Sequence, residues 1–255
     1  MKSIIAVINQ KGGVGKSTTA AAITAGLTLT GFKVLAIDLD AQRNLTYSMG
    51  GRSDGATVLG VLLRETTTDA AIQHTEAGDL IAASQSLAGA DAYLNDTGKE
   101  YRLKEALEAV KNKYDYVVID TPPALGILTV NALTTATSVI IPAQADVFSF
   151  QGIEQLGNTI DPVKKYYNHD LKITGVLITR YSQRATLSRE MKELIDRLAA
   201  RLGTTLFNTT IREAIAVKEA QVNQKSLFEY APKAKVTDDY RAFIEELRER
   251  EATAK

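Results

Sequence analysis

Cysteine is absent from this 255-residue sequence, which excludes disulfides, thiolate zinc sites and cysteine-ligated iron–sulfur clusters. Also absent is any uncharged apolar run of about 18 residues, the length a membrane-spanning helix requires. The amino-terminal stretch MKSIIAVINQ has one lysine, a short apolar run and no small-residue cleavage site. It leads directly into a glycine loop, so a buried strand is expected there and not a signal peptide. Neither sign of charge is in excess: 30 Lys and Arg balance 30 Asp and Glu. Net charge therefore gives no reason to bind nucleic acid or acidic lipid, and any such binding must come from a local patch. Basic residues do outnumber acidic ones between Arg180 and Arg241. The expectation is a soluble, cytoplasmic protein.

What is present is enough apolar material, 45% of residues, to fill a sizeable core. Short β-branched runs alternate with longer helical stretches, the pattern of a mostly parallel sheet covered by helices. Strands are expected at 4–8, 33–37, 79–82, 116–119, 138–141, 173–179 and 205–207. Most of these are continuous apolar runs, as befits strands buried on both faces. Helices are expected at 16–30, 57–64, 103–113, 128–135, 152–167, 188–202 and 237–251. No repeat, low-complexity segment or Pro- or Ser-rich linker interrupts them, so one α/β domain is expected to span 1–255.

The chemistry concentrates at residues 9–19, NQKGGVGKSTT. The string QKGGVGKS fits the P-loop pattern Gly-x-x-x-x-Gly-Lys-Ser/Thr with its first glycine relaxed. A strand delivers the chain to this turn, and a helix begins at Lys16. Gly12, Gly13 and Gly15 let backbone N–H groups, that of Val14 included, curl round a phosphate with no Cβ in the way. The helix N-terminus adds the positive end of its dipole. Lys16 is placed to reach the β- and γ-phosphates of ATP, Ser17 to ligate Mg²⁺, and Thr18 to sit near the α-phosphate. After the second strand, Asp38 and Asp40 stand at i and i+2, so both carboxylates point the same way. Asp120 ends the apolar run 116–119 and precedes Thr121-Pro-Pro123. A carboxylate at the end of a buried strand, about a hundred residues beyond a P-loop, is the Walker B arrangement that holds Mg²⁺.

Lys11 is the unusual residue, because two lysines on one small loop repel unless an anion neutralises both. With it the loop KGGVGK resembles the deviant Walker A loop of the ParA/Soj and MinD group of partition and positioning ATPases. The resemblance implies a P-loop NTPase fold and Mg²⁺-dependent ATP hydrolysis. It also implies a homodimer formed on ATP binding, in which Lys11 crosses to the partner's nucleotide. The segment Asp38-Leu-Asp-Ala-Gln-Arg-Asn44 is similar to the family's switch I, with Ala41 in place of its proline and Arg43 in place of its glycine. By the resemblance Asp40 polarises the attacking water, Asp38 supports Mg²⁺ or its water shell, and the loop after Asp120 is switch II. The segments Ile141–Asp146, Thr179–Ser188, Ile211–Ala220 and Phe228–Lys233 also resemble the family, so the likeness spans nearly the whole chain. Backbone around Arg212 and Ala214 is implied to pack on the base.

Membership within the group is read from the tail and from basic residues. Val236, Tyr240, Phe243, Ile244 and Leu247 form an apolar stripe, but the opposite face mixes Glu245, Glu246, Arg248, Glu249 and Arg250. A membrane-binding helix favours a basic polar face, so this helix is expected to pack on its own domain. A bacterial tyrosine kinase of the group would end in a tyrosine cluster, which is missing. DNA remains as the track, bound without sequence preference, with a ParB-like protein as partner and the nucleoid as location. The resemblance places Arg184 in the DNA patch, while the family's second arginine aligns with Ala216. Arg189, Arg212, Lys218 and Lys225 are candidates to compensate. The short stretch before the first strand is expected to leave no room for a helix-turn-helix domain. The alternative is a relative that positions another cargo or acts at a membrane.

Overall fold

A computed structural model describes residues 1–182 and 186–253. Eight strands form one sheet: β1 (Ser3–Val7), β2 (Val34–Asp38), β3 (Ile72–Thr75), β4 (Gly78–Ile81), β5 (Tyr116–Asp120), β6 (Ser138–Gln144), β7 (Lys172–Tyr181) and β8 (Leu206–Arg212). Their order is β3-β4-β2-β5-β1-β6-β7-β8. Every pairing is parallel except the β3–β4 hairpin at one edge. The helices are α1 (Lys16–Leu29), α2 (Asn44–Ser48), α3 (Val58–Leu62), α4 (Thr68–Ala71), α5 (Ala90–Tyr93), α6 (Arg102–Glu108), α7 (Ile127–Thr135), α8 (Val147–Tyr166), α9 (Thr186–Arg201), α10 (Ile215–Val222), α11 (Leu227–Tyr230) and α12 (Lys235–Thr253). This is the single α/β domain with a mostly parallel sheet that the alternating pattern implies.

Alternation along the strands explains why they read as unbroken apolar runs. In and just after β1, Ala6 and Ile8 enter a core with α3, α6, α7, α8 and α9, whereas Ile5 and Val7 enter a second core with α1, α2 and α10 to α12. Successive side chains point to opposite faces, and here both faces are dry. β3 was not expected, because Ile72-Gln-His-Thr75 offers one apolar residue and is only partly covered. Gly78, at φ 130°, turns the chain back into β4 and supplies the pairing. α8 begins at Val147 instead of 152, since Asp146 caps it by accepting a bond from the Ser149 amide at 2.8 Å. α10 was also missed; it is a two-turn helix with one buried residue, Ala220, and weak periodicity.

The apolar stripe of the tail is buried: Val236, Tyr240, Phe243, Ile244 and Leu247 are all at most 5% exposed. α12 lies on α1 and on β8, and at Gly26 a Cβ would stand 2.2 Å from Ile244 Cδ1. Part of its charged face is also committed. Glu246 accepts from the amides of Asn208 and Thr209, and Arg250 donates to the carbonyl of Leu206 at 2.6 Å. These contacts satisfy backbone groups along β8, an edge strand that would otherwise present them to another chain. Among the described residues no helix is long and apolar enough to cross a membrane.

Candidate functional site

Strand register brings the sequence-distant carboxylates together. β5 lies between β1 and β2, so Asp120 pairs with Val7 on one side and with Asp38 on the other. The loop that follows β1 therefore leaves the sheet beside both aspartates, at the carboxyl ends of the strands where open α/β sheets bind ligands. A cleft of about 490 Å³ opens there. Its lining includes Gly12, Gly13, Gly15, Lys16, Ser17, Thr18 and Asp40 from the predicted set.

The glycine loop is shaped as its residues require. Gly13 and Gly15 have φ of 76° and 90°, left-handed values that side chains disfavour. Gly15 is the N-cap of α1 and no side chain caps that end, which leaves the first amides of the helix for an anion. Val14 is fully buried and its carbonyl accepts from Thr179 Oγ1 at 2.8 Å, pinning the loop to β7. Lys16 Nζ donates to the carbonyl of Lys11 at 3.1 Å. Burial lowers the Lys16 pKa, against the pull of Asp120 and Asp40.

The two fully buried aspartates, Asp38 and Asp120, differ in how they are held. Asp38 Oδ1 accepts from the Asp40 amide at 3.0 Å, and Oδ2 from the Thr46 amide and hydroxyl at 2.8 and 2.7 Å. Burial still pushes its pKa up to about 6. Asp120 is fully buried and neither carboxylate oxygen has a partner at full hydrogen-bond geometry, although the Ser17 hydroxyl is close enough to favour its charge. Burial, then the nearby Asp38, raise its pKa well above the usual range, and the Ser17 hydroxyl and Lys16 only partly offset this. Two dry, crowded carboxylates beside a hydroxyl are a poor arrangement for an isolated protein and a good one for a hard divalent cation. Among the described residues no group of three or more His, Cys, Asp or Glu side chains is set to hold a metal. A cation here would complete its shell with phosphate oxygens and water, as Mg²⁺ does. Asp40 is buried, lines the cleft, and accepts from the Gln42 amide at 3.0 Å. Arg43, where the resembling loops carry glycine, sits at φ 60°, the conformation for which glycine is the easy choice.

Other predicted residues scatter. Arg184 lies outside the described residues. Arg189 is exposed on α9. Arg212 ends β8 and is clamped by Asp239 through Nε at 2.6 Å and a second guanidinium nitrogen at 2.7 Å. Lys225 pairs with Glu229. Lys218 lines the cleft. Ala214 caps α10, and the cleft wall nearby is made by Lys218, Gln221 and Val222. Ala216 packs partly against the core.

Sequence reasoning missed three groups. Tyr47, Gln221 and Val222 line the cleft, and Gln221 Nε2 donates to Thr18 Oγ1 at 3.0 Å; nothing in their spacing signals this. Thr46 could not be seen as the support of Asp38. Asp146, which meets Lys11, was legible as an Asp-x-x-Ser helix cap but not as a counterion.

The chain is similar to known proteins. A family described as AAA domain matches residues 2–173. The sporulation initiation inhibitor protein Soj of Bacillus subtilis is 39% identical over 94% of this chain and 96% of its own. The chain belongs to the Soj/ParA family. The chromosome partitioning protein ParA of Caulobacter vibrioides is 38% identical over 99% of this chain and 97% of its own. Among solved structures, one described as cobyrinic acid a,c-diamide synthase from Mycobacterium smegmatis with bound ADP and magnesium has a TM-score of 0.78. It is 38% identical over 96% of this chain and 93% of that one. The Soj/ParA relatives thus match the chain from end to end, as the sequence motifs implied.

Proposed function

We propose that this Soj/ParA-family chain is an ATP-dependent switch for DNA partitioning. In this reading Mg²⁺ and ATP occupy the cleft, and two copies close face to face. The closed pair binds DNA without sequence preference on the nucleoid, and a ParB-like partner stimulates hydrolysis. The observation that carries the reading is a glycine loop whose Lys16 feels the charges of Asp120 and Asp40 and whose second lysine, Lys11, lies on the same turn with its carbonyl bound to Lys16. ADP and magnesium in the structure of the similar Mycobacterium smegmatis protein support the choice of ligands.

Each residue then has a task. Backbone amides of Gly12, Gly13, Val14 and Gly15 cradle phosphate, Lys16 neutralises the β- and γ-phosphates, and Thr18 lies by the α-phosphate. Ser17, Asp38 and Asp120 would hold Mg²⁺. The cation supplies neutralisation of phosphate charge. Asp40 orients the attacking water, and Lys11 serves the nucleotide held by the partner subunit. Backbone near Arg212 and Ala214 reaches the base. Arg184, Arg189, Arg212, Lys218 and Lys225 are the candidate DNA contacts. The ion pairs of Arg212 and Lys225 predict that these two contribute less than their charges suggest.

Co-sedimentation with DNA in ATP, ADP or no nucleotide tests the reading, with Lys16→Ala alongside. Wild type is expected to pellet with DNA only in ATP, with a Kd of roughly 10⁻⁴–10⁻⁶ M at physiological salt. Lys16→Ala is expected to stay in solution throughout. Equal pelleting in all conditions refutes a nucleotide-gated DNA switch.

A further inference from the structure

Both lysines of the loop are already engaged within the chain. Lys16 Nζ rests on the carbonyl of Lys11. Lys11 Nζ in turn is 2.5 Å from Asp146 Oδ2, 3.5 Å from Gln144 Oε1 and 5.8 Å from the centre of the Phe148 ring. The grip extends to the backbone, because Gln144 Nε2 donates to the carbonyl of Gly13 at 3.0 Å. Below, Asn9 Oδ1 accepts from the Lys11 amide at 2.9 Å while Asn9 Nδ2 donates to the carbonyl of Pro142 at 2.7 Å. The carboxyl end of β6 and the start of α8 thus hold the loop at three successive points.

Asp146 is built to keep this position with or without Lys11. Its Oδ1 caps α8 through the Ser149 amide, and the buried Ser149 hydroxyl accepts from the Gln144 amide at 3.1 Å. The carboxylate is therefore fixed by the helix end, while the lysine reaches it on a flexible stem. Burial alone raises the pKa of Asp146; the bonds from Lys11 and Ser149 outweigh it and hold the carboxyl below its usual value. A lysine meant for an anionic ligand is neutralised here by a preformed side-chain anion a few ångströms from the phosphate cradle.

We propose that Asp146 is the resting counterion of Lys11, holding within its own subunit the lysine that the closed state needs, so that nucleotide must win Lys11 from Asp146 before the switch closes. The inference rests on the reading above that Lys11 serves ATP across the pair. Asp146 acts through Lys11 and is a positioning residue. It has a second effect: with Lys11 neutralised, the loop of a single subunit presents one charge-uncompensated lysine, Lys16, to phosphate instead of two, and the second becomes available only on release.

Asp146→Asn tests this cleanly, since asparagine caps helices as well as aspartate does and α8 should stay intact. Two readouts are needed. The first is the acetylation rate of Lys11 in nucleotide-free protein, followed by mass spectrometry with Lys16 and an exposed lysine as internal references. Release from Asp146 is expected to speed labelling of Lys11 selectively in the variant. The second is the ATP concentration for half-maximal dimerisation, read by light scattering. An ion pair that is partly exposed is worth at most a few-fold, so the midpoint should fall by about two- to five-fold. Equal Lys11 labelling in the two proteins overturns the inference whatever dimerisation does. Selective labelling with an unchanged or raised ATP midpoint overturns the gating role. A wild type that never dimerises in ATP overturns the functional reading itself, and with it the gating role, a result distinct from either failure of the variant.

Discussion

Replacing Asp120 by asparagine should make the nucleotide-free protein more stable while disabling it. Asp38, in the same dry corner, sets the scale. Three hydrogen bonds help it, yet burial pushes its pKa up to about 6, and a shift of that size corresponds to about 3 kcal/mol at pH 7. Asp120 is as buried and neither of its oxygens meets a partner at full hydrogen-bond geometry. Burial and the nearby Asp38 raise its pKa well above the usual range, so its ionisation too destabilises the nucleotide-free fold, and Asp38 is taken as its scale. Asparagine removes the charge but leaves an unpaired amide, a penalty of about 1–2 kcal/mol. The net gain is then about 1–2 kcal/mol, which for a domain of this size raises Tm by about 2–8 °C. Both carboxylates have raised pKa values, so between the ordinary value and the raised one the folded state binds more protons than the unfolded. Stability therefore falls as pH rises through that window, from about 4 to about 6 for Asp38, and above it the penalty from this group is complete and constant. The advantage of Asp120→Asn should accordingly be present at pH 7 and shrink as pH falls toward 4. Thermal melts across this range, with and without Mg²⁺ and ATP, check it. In Mg²⁺ and ATP the order should reverse, because wild type gains the cation and the variant does not. A variant that melts at or below wild type without nucleotide at pH 7 refutes the account of an uncompensated carboxylate.

Two further outcomes follow from the site and the tail. Asp40→Ala should bind ATP but hydrolyse it about 100-fold more slowly, the usual weight of a group that positions or activates water; a phosphate-release assay showing wild-type turnover contradicts that role. Phe243→Ala, at a fully buried ring packed edge-on to Phe207 at 4.9 Å between centroids, should cost about 3–5 kcal/mol. Denaturant unfolding that left the midpoint unchanged would show that α12 is not an integral part of the domain.

Local sequence was sufficient for the features whose physics is local. A glycine loop between an apolar strand and a helix is legible because the left-handed backbone at Gly13 and Gly15 and the helix start at Lys16 depend only on nearby residues. The same holds for buried strands with apolar runs, for the stripe of α12, and for Asp38 and Asp120 as strand-end carboxylates. Edge hairpin β3 and the short helix α10 were illegible because their own residues carry little burial signal. They exist through Gly78 and through packing against other elements. The fate of each charge was equally hidden. Whether Arg212 faces solvent or Asp239, whether Asp38 is held by Thr46, and whether Asp120 is left beside only Ser17 and Lys16 depend on strand order and register, which bring together residues far apart in the chain. Sequence alone established what the loop can bind, since the chemistry of glycine, lysine and a helix end travels with the residues. Only the tertiary structure decided that Lys11 rests against Asp146, because that contact exists only where β6, lying beside β1, delivers the cap of α8 to the glycine loop.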